Sequence, residues 1–399
     1  NPVEVDFTES GDVLGTVNIL YSGPRSDCLV HWLHGGAYPH SQRVLGELPR
    51  TGELLGPVHQ FGHVGVSGTN RYRSGVLDRS FRDNMFVTIF NTGQLVRIEL
   101  NKKGSTYRSQ QHEFLTCSDP DFHPTDVLED ADGSLLLVDT GGWFRIGCPT
   151  SQIAKPDIKG GIYRIRKEGM PNWSDPRGLR IEWKNLSNRE LIFMCMDTRF
   201  TVRERAIDEC ALRGESLLPD IKTWIVRGDV PIRLNLVWAC TRMQDNAVAQ
   251  AYVRLVLNDR DETVRAAACK SVGVTKDKKA IDGLVARLND ESPHVRRAAL
   301  TALGQIGEKS AVPAILKHAS LLEDRSEDHA LIYALMQINA PPEIRKGLTS
   351  DHVETRRVAL IVLDQIAPEI LNSEDVMQLI AKGGSPEMIK AALNVLQHH

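Results

Sequence analysis

The residues best suited to chemistry in this chain are a histidine and an arginine in one glycine-rich run, HVGVSGTNRYRSG (His63–Gly75), which also holds Ser67 and Tyr72. A His and an Arg facing a common pocket supply a proton acceptor and an anion clamp. His63 is therefore the candidate catalytic residue and Arg71 a candidate binding residue. The alternative is a surface loop shaped by Gly62, Gly65 and Gly68. A second set, His31, His34 and His40 in HWLHGGAYPH, has its first two members three apart. On a strand these point to opposite faces and cannot share a metal, so a structural role is expected. The acidic run EDADG (Glu129–Gly133) lacks the third acid and distal Glu of a calcium loop. It reads instead as a hairpin turn with Asp132-Gly133 as a two-residue tip, both residues at positive φ. The chain contains no phosphate-binding Gly-rich loop, no G-x-S-x-G elbow and no H-E-x-x-H zinc helix.

The elements that must position these residues are short strands. Val3–Phe7, Leu14–Leu20, Cys28–Gly36, Met85–Phe90, Leu95–Leu100, Thr106–Leu115, Thr125–Leu128, Leu135–Asp139 and Gly161–Arg166 are period-2 or apolar runs between Gly, Asn and Asp turns. Such a series suits a propeller, whose blades take about 40–50 residues each, so residues 1–168 predict three or four blades. An open fan of blades leaves a sheet edge bare, and the expectation is that N-terminal blades precede Asn1. Residues 169–185, with Gly169, Pro171, Pro176 and Gly178, read as a linker.

From residue 186 to 399 the pattern becomes helical and repeats. TVRERAIDECAL, PIRLNLVWAC, TVRAAACKSV, HVRRAALTALGQI, EDHALIYALMQI, ETRRVALIVLDQI and EMIKAALNVL align on Arg203, Arg233, Arg265, Arg296, Asp328, Arg356 and Ile389. The spacings are 30, 32, 31, 32, 28 and 33 residues, the signature of an α-solenoid of about seven helix pairs. Each phrase is a second helix, and Asn246–Asn258, Lys278–Asn289 and Lys309–Ala319 are first helices. The Ala-rich second helices predict close helix approach. The recurrent Arg is expected to bridge loop carbonyls or acids such as Asp229, Asp261 and Asp290. A solenoid needs a polar terminal cap, so the chain is expected to continue past His399.

Composition excludes some classes. A formal net charge of -3 with 25% charged residues leaves no electrostatic footprint for nucleic acid. No apolar run reaches the about 18–20 residues of a membrane span. The seven cysteines form no C-x-x-C pair and no C-x-x-C-H haem motif, and Cys210, Cys240 and Cys269 fall on apolar helix faces as small buried residues.

The strings at residues 63–75, 81–100, 122–142 and 160–167 resemble the last blades of six-bladed sugar-dehydrogenase-like quinoproteins. With the opening NPVEVDFTESGDVLGTVNILYSG, the chain is similar to the membrane-bound dehydrogenase family of planctomycetes and their relatives. The helical part resembles short HEAT-like repeats of the phycobilisome-lyase kind. The resemblance implies a multidomain fold, all-β plus all-α: a partial β-propeller followed by a HEAT-like α-solenoid. It also implies an extracytoplasmic protein and a sugar or alcohol oxidoreductase that passes electrons to a cytochrome c domain downstream. The relatives' cofactors are pyrroloquinoline quinone and calcium. In those enzymes the blade equivalent to FHPTD (Phe122–Asp126) carries arginines that clamp the quinone carboxylates. Here His123 and Thr125 stand in their place, which argues against the quinone. His123 and Asp126 remain candidate substrate- or cofactor-binding residues. The alternative reading is a non-catalytic propeller that binds a glycan or protein, joined to a HEAT-like scaffold with a protein partner.

Overall fold

Three antiparallel sheets come first, and strand alternation explains how they stack. The computed structural model describes residues 2–20, 26–39, 47–142, 155 and 157–396; His40 and Cys148 lie outside the described residues. The first sheet pairs β1 (Pro2–Phe7), β2 (Val13–Leu20), β3 (Ser26–Trp32) and β4 (His59–Gly62) in chain order. The second pairs β5 (Val66–Arg71), β6 (Met85–Ile89), β7 (Gln94–Lys103) and β8 (Thr106–Thr116) in chain order. The third pairs β9 (Pro124–Glu129), β10 (Leu135–Asp139) and β11 (Gly161–Ile165). On β6, Met85, Val87 and Ile89 pack with Leu14 and Leu29 of the first sheet. Phe86, on the opposite face, packs with Val127, Leu135 and Leu137 of the third. A strand with a core on both faces is a continuous buried run, here MFVTI.

The first strands of the three sheets, β1, β5 and β9, lie side by side without pairing, as inner strands of consecutive propeller blades do. Among the described residues the arc does not close into a ring: Val3, Val5 and Phe7 on β1 and Leu128 and Ile162 on the third sheet are exposed.

Three local expectations are corrected. The strand from Cys28 ends at Trp32, and the chain turns at Leu33–Gly36 with Gly35 at φ 68. The Glu129–Gly133 hairpin has a longer tip than two residues. Glu129 pairs with Leu135, and the Asp130 N–H donates to the Ser134 carbonyl at 2.8 Å. Gly133 has φ 81, whereas Asp132 is absent from the positive-φ residues, so a single left-handed glycine closes the loop. The run after His63 is strand β5 and not a loop. Its sequence, VSGTNR, has a single apolar residue because its neighbours β1 and β9 present polar groups to it.

The helices follow the predicted repeat. The second helices are α2 (Phe200–Arg213), α4 (Val230–Arg242), α6 (Glu262–Val274), α8 (Pro293–Ile306), α10 (Arg325–Ile338), α12 (Val353–Ile366) and α14 (Pro386–Leu396). First helices include α1 (Asn188–Met194), α3 (Leu218–Arg227), α5 (Ala247–Leu255), α7 (Ile281–Arg287), α9 (Val312–His318), α11 (Pro341–Arg345) and α13 (Ser373–Ala381). Small residues bring second helices together: a Cβ on Gly273 would lie 2.9 Å from Ala302 Cα, and one on Gly304 2.8 Å from Ala334 Cα.

The recurrent arginines form a ladder. Arg265 reaches back to the Asp259 carbonyl (2.9 Å) and forward to both oxygens of Asp290 (2.7 and 2.9 Å). Arg233 does the same with the Gly228 carbonyl and Asp259, and Arg296 with the Asp290 carbonyl and Glu327. Arg203 and Arg356 bond loop carbonyls. Of the three acids expected as partners, Asp290 serves. Asp261 instead caps α6, accepting from Thr263 and Val264, and Asp229 sits at the N-cap of α4.

The chain divides into two compact units. One comprises residues 1–32, 38–41 and 56–224; the other residues 33–37, 42–55 and 225–399. The change from strand to helix falls at the predicted linker, but that segment is anchored. Arg177 pairs with Asp130, Thr201 donates to the Pro176 carbonyl, and Trp183 is buried under Arg205, whose guanidinium carbon lies 4.8 Å from the ring centre. The helices α1 and α2 therefore belong to the sheet unit. No helix among the described residues is long and apolar enough to cross a membrane.

Candidate functional site

In the sheet unit the polar groups converge where β1, β5 and β9 meet. Gly68 permits the approach: a Cβ there would lie 2.6 Å from Asp126 Cα and Oδ1 and 2.9 Å from the Thr125 carbonyl oxygen. The Ser67 hydroxyl donates to that carbonyl at 2.7 Å. Glu4 accepts the Thr69 N–H at 2.6 Å and lies against Asp126. Burial, followed by the Asp126 and Asp6 carboxylates, pushes the Glu4 carboxyl up to about 7, against the pull of the Thr69 N–H. A carboxyl titrating near neutrality beside a second carboxyl can hold or release one proton, the chemistry of a general acid or base.

The surrounding groups hold these strands in register. Asp6 accepts from the Arg71 N–H (2.6 Å), Asn70 (3.2 Å) and the Arg73 guanidinium (2.6 Å). Glu129 accepts the Arg73 and Ser74 N–H groups at 2.5 and 2.9 Å, and its own N–H donates to Asn70 at 3.0 Å. Tyr72 is fully buried; its hydroxyl donates to the Gly133 carbonyl and accepts the Leu77 N–H, and burial pushes it up to about 12.

The four residues singled out from sequence do not meet. His63 is exposed in the bend between β4 and β5, and Arg71 is buried at the far end of β5. Arg71 pairs with Asp83 at 2.5 Å. His123 is fixed by its Nδ1 to the Gly141 carbonyl at 2.9 Å, with its ring 4.7 Å from that of Phe90. Asp126 alone joins the inner-strand cluster. Its partner Glu4 sits in a plain alternating strand, and nothing in VEVDF marks it. His31 bonds Thr106 at 2.9 Å in the sheet unit, whereas His34 packs edge-on to Tyr333 in the solenoid unit.

The inner strands do not fit pyrroloquinoline quinone. A tri-carboxylate needs cations, but Glu4, Asp6, Asp126 and Glu129 crowd this place, and the guanidiniums of Arg71 and Arg73 are matched by Asp83 and Asp6. Among the described residues no group of three or more His, Cys, Asp or Glu is placed to hold a metal ion.

The solenoid unit holds a large opening, and part of its wall comes from the connection between β3 and β4. Residues 33–37 and 47–55, from the β3–β4 connection, run along the second helices as a strap. The Leu55 N–H donates to the Ala37 carbonyl at 2.9 Å and closes its base. Arg325 donates to the Thr51 hydroxyl (2.8 Å), which donates to His329 Nδ1 (2.7 Å), while His329 Nε2–H donates to the His34 carbonyl (3.0 Å). Arg325 also donates to the Glu53 carbonyl, Gln365 accepts the Arg50 N–H at 2.8 Å, and Lys390 pairs with Glu53. Burial pushes His329 down to about 4, so it is neutral at pH 7 and its Nδ1 can accept. Of the seven equivalent repeat positions only 328 is acidic: Asp328 pairs with Arg325 and Arg357 on the face the strap covers. Between the strap and α10, α12 and α14 lies a cavity of about 1440 Å³.

Residues 251–336 match the family model of HEAT repeats. The solenoid is therefore a HEAT-like scaffold, preceded by the antiparallel sheets. No curated protein matches the chain. Among solved structures the chain is similar to an oxidoreductase (glucose dehydrogenase) of Thermus thermophilus at 16% identity and a TM-score of 0.26, covering 35% of this chain and 38% of that one. It is similar to the CpcE–CpcF phycocyanin lyase of Nostoc at 21% identity and a TM-score of 0.32, covering 58% and 99%. The HEAT-like repeat protein of Thermococcus onnurineus gives 16%, 0.32, 53% and 95% for the same quantities. The chain thus spans less than half the length of the Thermus protein, and likenesses this distant carry no activity to it.

Proposed function

We propose that this chain is a binding scaffold whose HEAT-like solenoid receives a protein partner on its second-helix face, beside the strap. The observation that carries the reading is the cavity of about 1440 Å³ walled by α10, α12, α14 and Leu48–Leu54. It exceeds the about 300–1,000 Å³ of small-molecule pockets, and stacked repeats present extended binding surfaces of this kind. The β3–β4 connection supplies the strap, and in this reading the sheet unit needs no catalytic residue.

The test places a photocrosslinking residue at Asn394, in the cavity, or at Glu374, at the start of α13 outside it. In native extract, irradiation yields a discrete protein adduct at position 394 and none at 374. Equal adducts at both positions, or none at 394, would overturn the reading.

A second reading, a sugar or alcohol dehydrogenase-like activity that hands electrons to a cytochrome, is favoured by the Glu4–Asp126 pair. A carboxyl near neutrality could take the proton of a substrate hydroxyl there. It predicts dye reduction with an aldose or alcohol that Glu4→Gln abolishes; the scaffold reading predicts no dye reduction by this chain.

A further inference from the structure

We infer that Cys195 and Cys210 are a disulfide-forming pair that clips α1 to α2 when the chain folds in the presence of a low-molecular-weight disulfide. Their sulfurs lie 3.9 Å apart, in van der Waals contact, and both side chains are fully buried. The helices on either side build this contact. Leu191 and Cys195, at the end of α1, are four residues apart and share a face, as Ala206 and Cys210 do on α2. All four are buried where the two helices pack. The turn between the helices is pinned as well. Arg199 grips both oxygens of Asp197 at 2.9 and 2.7 Å and donates to the Asp175 carbonyl at 2.8 Å. Arg203 donates to the Asp197 and Thr198 carbonyls at 2.7 and 3.1 Å. The two backbones are thus held as neighbours. A disulfide is about 2.05 Å long, so each sulfur has roughly 1 Å to travel. A modest rotation about each Cα–Cβ bond moves it that far.

The bond forms in two exchanges. The thiolate of one cysteine attacks a sulfur of the small disulfide, making a mixed disulfide and releasing one thiolate of the oxidant. The other cysteine's thiolate then attacks the protein sulfur of that mixed disulfide, closing the Cys195–Cys210 bond and releasing the second. Two electrons pass from the protein to the oxidant, and the two cysteine protons end on the two released thiolates. The Cys210 contact, and then burial, hold the Cys195 thiol above the ordinary thiol range. The exchange therefore belongs to folding, before α1 docks, and the docked pair is slow toward thiol reagents. The closed loop holds the α1–α2 turn and, through Arg199 and Thr201, the segment at Asp175 and Pro176 that precedes the helices.

The experiment unfolds and reduces the full chain in urea and refolds it in a mixture of oxidised and reduced glutathione. The remaining thiols are then alkylated after denaturation. Tryptic mass mapping should show peptides 190–199 and 206–213 joined, about 2 Da lighter than the two added together. The urea midpoint of the sheet unit should rise by about 1 M over the reduced protein. Cys195→Ala loses both the joined peptides and the rise. Cys117→Ala, which removes the half-buried cysteine after β8, keeps both. The inference is overturned if the two peptides are recovered separately alkylated from the refolded wild type. Joining of either one to a different cysteine, or an equal rise on oxidation in Cys195→Ala, overturns it too. The mapping needs only the wild-type chain, so it decides the matter even where Cys195→Ala does not fold.

Discussion

Replacing Arg265 by Ala tests whether the arginine ladder holds the solenoid together. The guanidinium is 7% exposed and the Asp290 carboxylate 2%, so the ion pair is buried. Removing one partner of such a pair costs about 3–5 kcal/mol, because the other charge is left without its counterpart. Asp290 keeps the Ser292 N–H at 3.0 Å and Arg287 at 3.1 Å, which places the loss near the low end, about 3 kcal/mol. Arg356 provides the comparison, since among the described residues it bonds only the carbonyls of Ser350, Asp351 and Gly383. Arg356→Ala should cost about 1–2 kcal/mol. Urea unfolding of the full chain, followed by helix circular dichroism, reads both as shifts of the solenoid transition. The double variant Arg265→Ala with Asp290→Asn should cost less than the sum of its singles. Equal shifts for Arg265→Ala and Arg356→Ala, or strict additivity in the double variant, would refute the ladder as a load shared between repeats.

Three further outcomes follow from the geometry. Gly68→Ala should destabilise the sheet unit by about 2–3 kcal/mol in urea melts, because its Cβ would meet Asp126 and the Thr125 carbonyl, both backbone-anchored. Glu4 has its folded pKa raised above its unfolded value, so the folded state holds the extra proton between about pH 4.5 and 7 and the wild type loses stability as pH rises through that window. Glu4→Gln should flatten this slope, and matched melts at pH 4.5 and 7 check it. His329 is shifted the other way: its folded pKa is about 4 and its ordinary value 6.5, so stability is lost as pH falls through that interval. Protonation removes the acceptor for Thr51, and limited proteolysis within Leu48–Leu55 should accelerate from pH 7 to pH 5 and be much less pH-dependent in His329→Gln.

The solenoid was legible because its period is written in residues that packing requires. The Arg at the start of each second helix, the Ala run of α6 and the spacing near 31 residues all answer to one stack of helices. The middle strands β6 and β7 were legible for a similar reason, since each carries a run of buried apolar side chains. β5 was hidden because its neighbours are polar strands, and a strand that meets carboxylates and hydroxyls carries no hydrophobic alternation. The site followed suit. Arg71 and His123 carry chemistry in their side chains, but ion pairing to Asp83 and bonding to the Gly141 carbonyl give them structural work. Glu4 became a candidate only when the approach of β9 at Gly68 brought Asp126 beside it. The strap was not legible, because the connection between β3 and β4 that supplies it carries neither strand alternation nor the solenoid's repeat.

Amide hydrogen exchange of the full chain, alone and with the partner captured at Asn394, tests the scaffold most directly. The account predicts new protection confined to Leu48–Leu55, α12 and α14, with the inner strands β1, β5 and β9 unchanged. Protection centred on those inner strands, with the strap and α14 exchanging as before, would contradict it.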